Sequence, residues 1–282
     1  MGVRRGGGGS RTVLAAVLAL GWAAAWAGAA AAAPSGRALV DETHRLDRGE
    51  RAWRTRSERL AIRIENARGG IVRRELVMRT GRGEPGEDRT FTVFLAPAEV
   101  RGTAFLQLAH KDRDADQWLF LPELHRVRRI SGASKRQSFV GTHFSYRDLE
   151  LLDDVLEWSE EEAPARWLGE GSIGDVAVAR VELRPKVKDV GYDRIVVSIS
   201  ARDHVLRGLD LFEGGEEPRK VLHLLDVRSV DGKPTAHRLE MTDRKRGGRT
   251  IVEVSEVRYD EDLPEEIFTR GALDHALDFL DE

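Results

Sequence analysis

Two hydrophobic rhythms and one unbroken apolar run divide this chain. Residues 13–33 are apolar and rich in alanine. From residue 59 onward the dominant period is two. Leu60, Ile62 and Ile64 alternate with polar neighbours, Leu76 and Met78 share one face, and Phe91, Val93 and Leu95 share another. Such alternation marks β-strands with one dry and one wet face. Helical spacing replaces it over residues 37–53, through Leu39, Val40, Leu46 and Trp53, and over residues 145–158, through Tyr146, Leu149, Leu152 and Leu156. Ser145 and Asp148 fit a capping box at the start of the second helix. A third helix is predicted after Leu263-Pro264, carrying Phe268, Leu273, Leu277 and Leu280.

Short loops join the strands, and Asp231-Gly232 and Gly247-Gly248 read as hairpin turns. The pattern predicts about eleven antiparallel strands in a single domain over residues 34–282, since no linker or shift of composition divides them. A sheet of that size with one apolar face must close or curl around something. Three helices cannot cover it unless it bends strongly.

Composition adds an export route. Arg4, Arg5 and Arg11 precede the apolar run, which ends in small residues suited to cleavage, so residues 1–33 read as a signal peptide. A retained membrane anchor is the alternative, because the run is long enough to span. The chain contains no cysteine, which removes the lipobox of a lipoprotein, disulfides and thiolate metal sites. The formal net charge is −3, and it becomes more negative once the leader is removed, which argues against a general nucleic-acid binder.

Candidate chemistry is sparse. Gly81, Gly83 and Gly86, and again Gly169, Gly171 and Gly174, match G-x-G-x-x-G, but both sets lie between strands and read as turn glycines. Gly171-Ser172-Ile173-Gly174 lacks the first glycine of a nucleophile elbow. The eight histidines are scattered singly, without metal-ligand spacing. No acid/base pair stands out, so the sequence predicts no enzyme, no metal and no cofactor.

The sharpest feature is residues 116–149. An apolar strand with Trp118 and Phe120 stops at Pro122, and a run bearing Arg126, Arg128 and Arg129 follows. A loop then carries Lys135 and Arg136, and Ser145 opens the helix. No acidic residue intervenes between Glu123 and Asp148. The cations read either as a solvated face or as a contact for a lipid head group, a membrane surface or an acidic partner.

This stretch closely resembles a signature of the LolA-like family of outer-membrane lipoprotein-sorting proteins. The matching pieces are Trp118 to Pro122 (WLFLP), Arg126 to Ser131 (RVRRIS), Lys135 to Gly141 and Phe144 to Leu149. Upstream, FLAPAEVRGTAFL at residues 94–106 is similar to another family segment, as is the LP-x-x-x-FT that ends at Thr269. Two positions depart from the pattern. His143 and Arg147 stand where acids are usual, which predicts a more basic patch than in relatives.

The resemblance implies a strongly curved, unclosed antiparallel β-barrel with helices over an apolar cavity. It also implies a monomeric, non-enzymatic periplasmic carrier. Such a carrier would bind lipid or lipoprotein acyl chains and move them from inner toward outer membrane, with an inner-membrane transporter as donor. On that basis Leu60, Ile62, Ile64, Leu76, Met78, Phe91, Val93, Trp118 and Phe120 are expected to line the cavity. Arg126, Arg128, Arg129, Lys135 and Arg136 are expected to meet a head group or docking partner. A periplasmic sensor or accessory subunit of a transporter is the alternative use of the same fold.

Overall fold

The computed structural model describes residues 35–111 and 113–280. The predicted signal segment therefore lies outside the described residues. Thirteen strands form one antiparallel sheet, where about eleven were expected. The first six are β1 (Thr55–Asn66), β2 (Ile71–Gly81), β3 (Arg89–Ala96), β4 (Ala104–Leu108), β5 (Asp116–Leu121) and β6 (Arg126–Ile130). After the helical segment come β7 (Ala165–Ile173), β8 (Val176–Leu183), β9 (Arg194–Ser200), β10 (Leu206–Phe212), β11 (Lys220–Val230), β12 (Lys233–Asp243) and β13 (Gly248–Tyr259).

The order across the sheet is β6-β5-β4-β3-β2-β1-β13-β12-β11-β10-β9-β8-β7, so two meanders join where β1 pairs with β13. The edges β6 and β7 do not pair with each other, and the barrel stays open. Two α-helices accompany the sheet among the described residues, α1 (Gly36–Arg48) and α2 (Tyr146–Asp154).

Each helix follows from local chemistry. Ser35 caps α1 by accepting from the Ala38 amide at 3.0 Å. Leu39, Val40 and Leu46 are buried by α1, which packs on β7 and β8. Gly36 permits that approach, because a Cβ there would lie 2.8 Å from Val181 Cγ1 and 2.9 Å from the Trp167 amide. Gly49 ends α1 short of Trp53, so the predicted helix is shorter than expected. In α2 both halves of the predicted capping box are made: Ser145 Oγ accepts from the Asp148 amide, and Asp148 accepts from the Ser145 amide.

The predicted C-terminal helix is replaced by three short 3₁₀ turns, Glu265–Phe268, Arg270–Leu273 and Asp278–Leu280. Their apolar residues fall in close pairs rather than along a helical stripe. Ile267, Phe268, Ala272, Leu273 and Ala276 therefore lie flat on the sheet and join a core with Phe91, Val93, Ala104, Leu106 and Phe120. That core covers the outer face of β3 to β5. The larger core lies on the inner face, between the sheet and the two helices, and includes Leu60, Ile62, Ile64, Leu76, Phe94, Phe105 and Leu151.

Candidate ligand-binding cavity

A cavity of about 380 Å³ occupies the space between the inner sheet face and the helices. Leu60 and Ile62 from β1 and Leu76 and Met78 from β2 form part of one wall. Leu224, Leu239, Val252 and Val254 contribute from the second meander. Leu149, Leu152 and Leu156 reach in from α2 and the turn after it, so α2 covers the cavity rather than lying on an outer surface. Phe105, Phe139 and Phe144 complete the apolar lining.

The opposite side is polar. Thr80, Thr90 and Thr92 occupy the inward positions of β2 and β3, beside Gln107 of β4. The Thr92 hydroxyl is fully buried and has no hydrogen-bond partner among the described residues. Gln107 Nε2 donates to Asp153 Oδ2 at 2.7 Å, and Gln117 Nε2 donates to Gln107 Oε1 at 2.6 Å. Further along, Arg48 bonds Asp88 at 3.0 Å and also pairs with Glu157, tying α1 to the β2–β3 loop and to the segment after α2. Arg82 stacks over Trp53 with its guanidinium carbon 4.1 Å from the ring centroid, and both residues line the cavity.

A second, more polar cleft of about 530 Å³ lies on the other side of α2. Gln107, Asp153 and Glu157 line both spaces and form their common wall. Burial, with Asp88 and Asp154 nearby, pushes the Asp153 carboxyl up to about 8. Burial, with Glu150 and Glu157 nearby, pushes Asp154 up to about 7.

The sequence-predicted lining residues separate into two sets. Leu60, Ile62, Leu76 and Met78 face the cavity. Ile64 is buried in the inner core but outside the lining. Phe91, Val93, Trp118 and Phe120 lie on the outer face, beneath the C-terminal turns, and do not reach the cavity. The cause is strand parity: Phe91 and Val93 share one face of β3 and Thr90 and Thr92 the other, and alternation alone does not say which face is inward. Thr92 and Gln107, which sequence reasoning missed, hold the inward positions instead. The signal that could have found them is the apolar C-terminal segment, which needed a surface of its own.

The basic stretch is also divided. Lys135 is buried, with its ammonium 3.1 Å from Asp114 and 2.5 Å from Glu150. Arg129 meets Asp116 at 2.6 Å while remaining largely exposed. Arg126, Arg128 and Arg136 are exposed, and Arg128 reaches the Ser134 hydroxyl at 3.4 Å.

Neither departure from the family pattern leaves a bare charge. Arg147 pairs with Asp114 at 3.2 Å and Glu150 at 2.5 Å. His143 is buried. Its Nε2 donates to the Gly247 carbonyl at 3.1 Å and its Nδ1 accepts from the Thr250 hydroxyl at 2.9 Å. Burial lowers the His143 pKa, consistent with this neutral arrangement. Arg147 thus keeps its charge but is neutralised locally, and His143 is uncharged in this arrangement.

Three solved structures share this architecture. One, described as an outer membrane lipoprotein-sorting protein domain from Vibrio parahaemolyticus, has a TM-score of 0.75 and 27% identity, covering 85% of this chain and 98% of its own. A DUF1329 family protein from Desulfovibrio piger gives a TM-score of 0.76 at 26% identity, covering 84% of this chain and 97% of its own. A LolA superfamily protein from Nitrosomonas europaea aligns with a TM-score of 0.61 over 85% of this chain and 99% of its own; at 17% identity it speaks for the fold alone. No curated protein matches the sequence. A family model described only as "Uncharacterized protein" matches residues 86–275, and the chain belongs to that family and carries the LolA-like lipoprotein-sorting fold.

Proposed function

We propose that this protein is a periplasmic carrier that holds acyl chains of a lipid or lipoprotein in the cavity under α2 and moves them from the inner toward the outer membrane. The observation that carries this reading is the apolar-walled cavity of about 380 Å³ between the curved sheet and the helices. Its size is within the range of ~300–1,000 Å³ usual for small-molecule sites. The kinship to a structure described as a lipoprotein-sorting domain supports it. Each methylene moved from water into such a lining recovers about 0.8 kcal/mol. Burial by Leu60, Ile62, Leu76 and Leu152 would thus hold a chain without any covalent step, and a carrier needs no catalytic group.

Arg126, Arg128 and Arg136 would contact a membrane surface or the donor transporter, since they are exposed at or just after the β6 edge. Lys135 serves instead to anchor α2. The carrier is read as one monomeric domain over residues 34–282, released from a leader of residues 1–33. Mass spectrometry of lipids extracted from protein purified out of its native host tests the proposal. Reproducible co-purification of acyl-chain cargo is expected. A lipid-free protein that also fails to bind fluorescent acyl probes overturns it.

A further inference from the structure

We infer that the cavity takes an amphiphile with an amine head group, seated against Asp153 on the wall between the two cavities. This rests on the carrier reading and adds the chemistry of the cargo.

The side chain that hydrogen-bonds Asp153 is the neutral amide of Gln107, at 2.7 Å. Cations near it are engaged elsewhere: Arg48 by Asp88 and Glu157, Arg56 by Glu58, and Arg147 by Asp114 and Glu150. Lys135 is held by Asp114 and Glu150. Two other carboxylates lie near Asp153: Asp154 of α2 and Asp88 of the loop before β3. Glu157 lines both cavities beside it. Asp153 is therefore a carboxyl with no ion-pair partner among the described residues, on a wall that faces an apolar space.

Thr92 supplies an independent sign of a missing hydrogen-bond partner. Its hydroxyl is completely buried, lines the cavity and has no partner among the described residues. Thr90 stands opposite Gln107 in the β3–β4 register and Thr92 opposite Phe105, so Thr92 lies on the same face one step along. A buried hydroxyl left unpaired is uncommon in a folded protein and calls for an explanation. An ammonium brings three N–H donors and one positive charge. A carboxylate head would be repelled by this wall, and an alcohol brings a single donor and no charge.

The proton balances in each case. A neutral amine takes the proton from a protonated Asp153, an ammonium that meets a protonated Asp153 sends that proton to solvent, and an ammonium that meets an ionised Asp153 releases none; each ends as an ammonium–carboxylate pair. The chain then runs from Asp153 along Leu152 and Leu156 toward Leu60 and Leu76, which line the same cavity.

Isothermal titration at pH 9 with octylamine, octanol and octanoate tests this on the mature protein and on Asp153→Asn, which keeps the side-chain shape. The wild-type protein is expected to bind octylamine at least about tenfold tighter than octanol, the scale of one charge-assisted hydrogen bond, with octanoate weakest. Asp153→Asn is expected to erase the amine's advantage and leave octanol unchanged. Equal binding of octylamine and octanol by the wild type, or an amine preference that survives in Asp153→Asn, overturns the inference and leaves the carrier reading standing. Binding of none of the three compounds overturns both. Chainless ethanolamine is expected to bind far more weakly than octylamine; equal affinity would overturn an amphiphile as the ligand.

Discussion

Lys220 Nζ donates to Asp148 Oδ2 over 2.5 Å, with both side chains out of solvent. The same carboxylate accepts from the Ser145 amide at 2.6 Å and from the Tyr192 hydroxyl at 2.6 Å. One aspartate thus caps α2 and fastens it to β11. Lys220→Met should cost about 3–5 kcal/mol, because it strands a buried charge, whereas adding Asp148→Asn should restore part of the loss. Urea denaturation of the single and double variants measures both. A single-variant loss below ~1 kcal/mol would mean that the pair is worth no more than a surface bridge.

Arg48 links three elements at the cavity through Asp88 and Glu157. Arg48→Met should cost ~1–3 kcal/mol, since it takes the shared partner from two carboxylates that are largely out of solvent, leaving Asp88 with Arg82. It should also speed the release of a fluorescent acyl probe several-fold, because one of the two arginine clasps from α1 to the segment after α2 is lost while Arg37 keeps the other. Stopped-flow displacement reads the rate, and an unchanged rate would place the exit elsewhere.

Stability should depend on pH through Asp153. Its folded pKa is raised to about 8 against an ordinary carboxyl value of 3.8, so the folded state binds the proton more tightly than the unfolded chain. That contribution is complete below the unfolded value and is lost as pH rises toward 8. Asp153→Asn removes this loss and should be more stable than the wild type by ~2 kcal/mol at pH 9, with the gap closing toward pH 4. Urea titrations at both pH values give the difference directly, and a gap independent of pH would refute the assignment.

Arg74 offers a contrast. Its Nε and Nη1 are buried without a hydrogen-bond partner among the described residues, and its guanidinium carbon lies 5.9 Å from the Phe94 ring centroid. Burial lowers its pKa. Arg74→Met keeps the apolar stem and should change stability by less than ~1 kcal/mol, or raise it. Arg147→Met should instead cost ~2–3 kcal/mol, because Glu150 loses a partner 2.5 Å away. Parallel urea curves decide between the two expectations.

Strand positions, the α2 cap and the curled sheet were legible because period and capping chemistry are local. Inwardness was not. Phe91 and Val93 share a face, as the alternation requires, but it is the face covered by Ile267 and Phe268, which are more than 170 residues away in the sequence. The electrostatics were hidden by strand pairing. A run without acids from Glu123 to Asp148 looks unneutralised, yet Asp114 and Asp116, at the head of the neighbouring strand β5, reach Lys135, Arg147 and Arg129. Sequence distance hides the covering segment, and the register between β5 and β6 hides the counter-charge. The polar inward positions Thr92 and Gln107 became interpretable only once Asp153 was seen beside Gln107.

The unpaired edges of the sheet have a mechanical result. Widening a closed barrel means breaking rungs of its backbone ladder, each worth roughly 0.5–1.5 kcal/mol. Here β6 and β7 share no rung. On one side α1 packs on β7 and β8, and on the other α2 packs on the turn after β6, so side chains span the seam. Arg37 reaches the Trp158 carbonyl at 2.5 Å, and Arg48 pairs with Glu157. The girth of the molecule is therefore set by a few replaceable side-chain clasps, and the interior can dilate for a bulkier occupant while every strand keeps its neighbours.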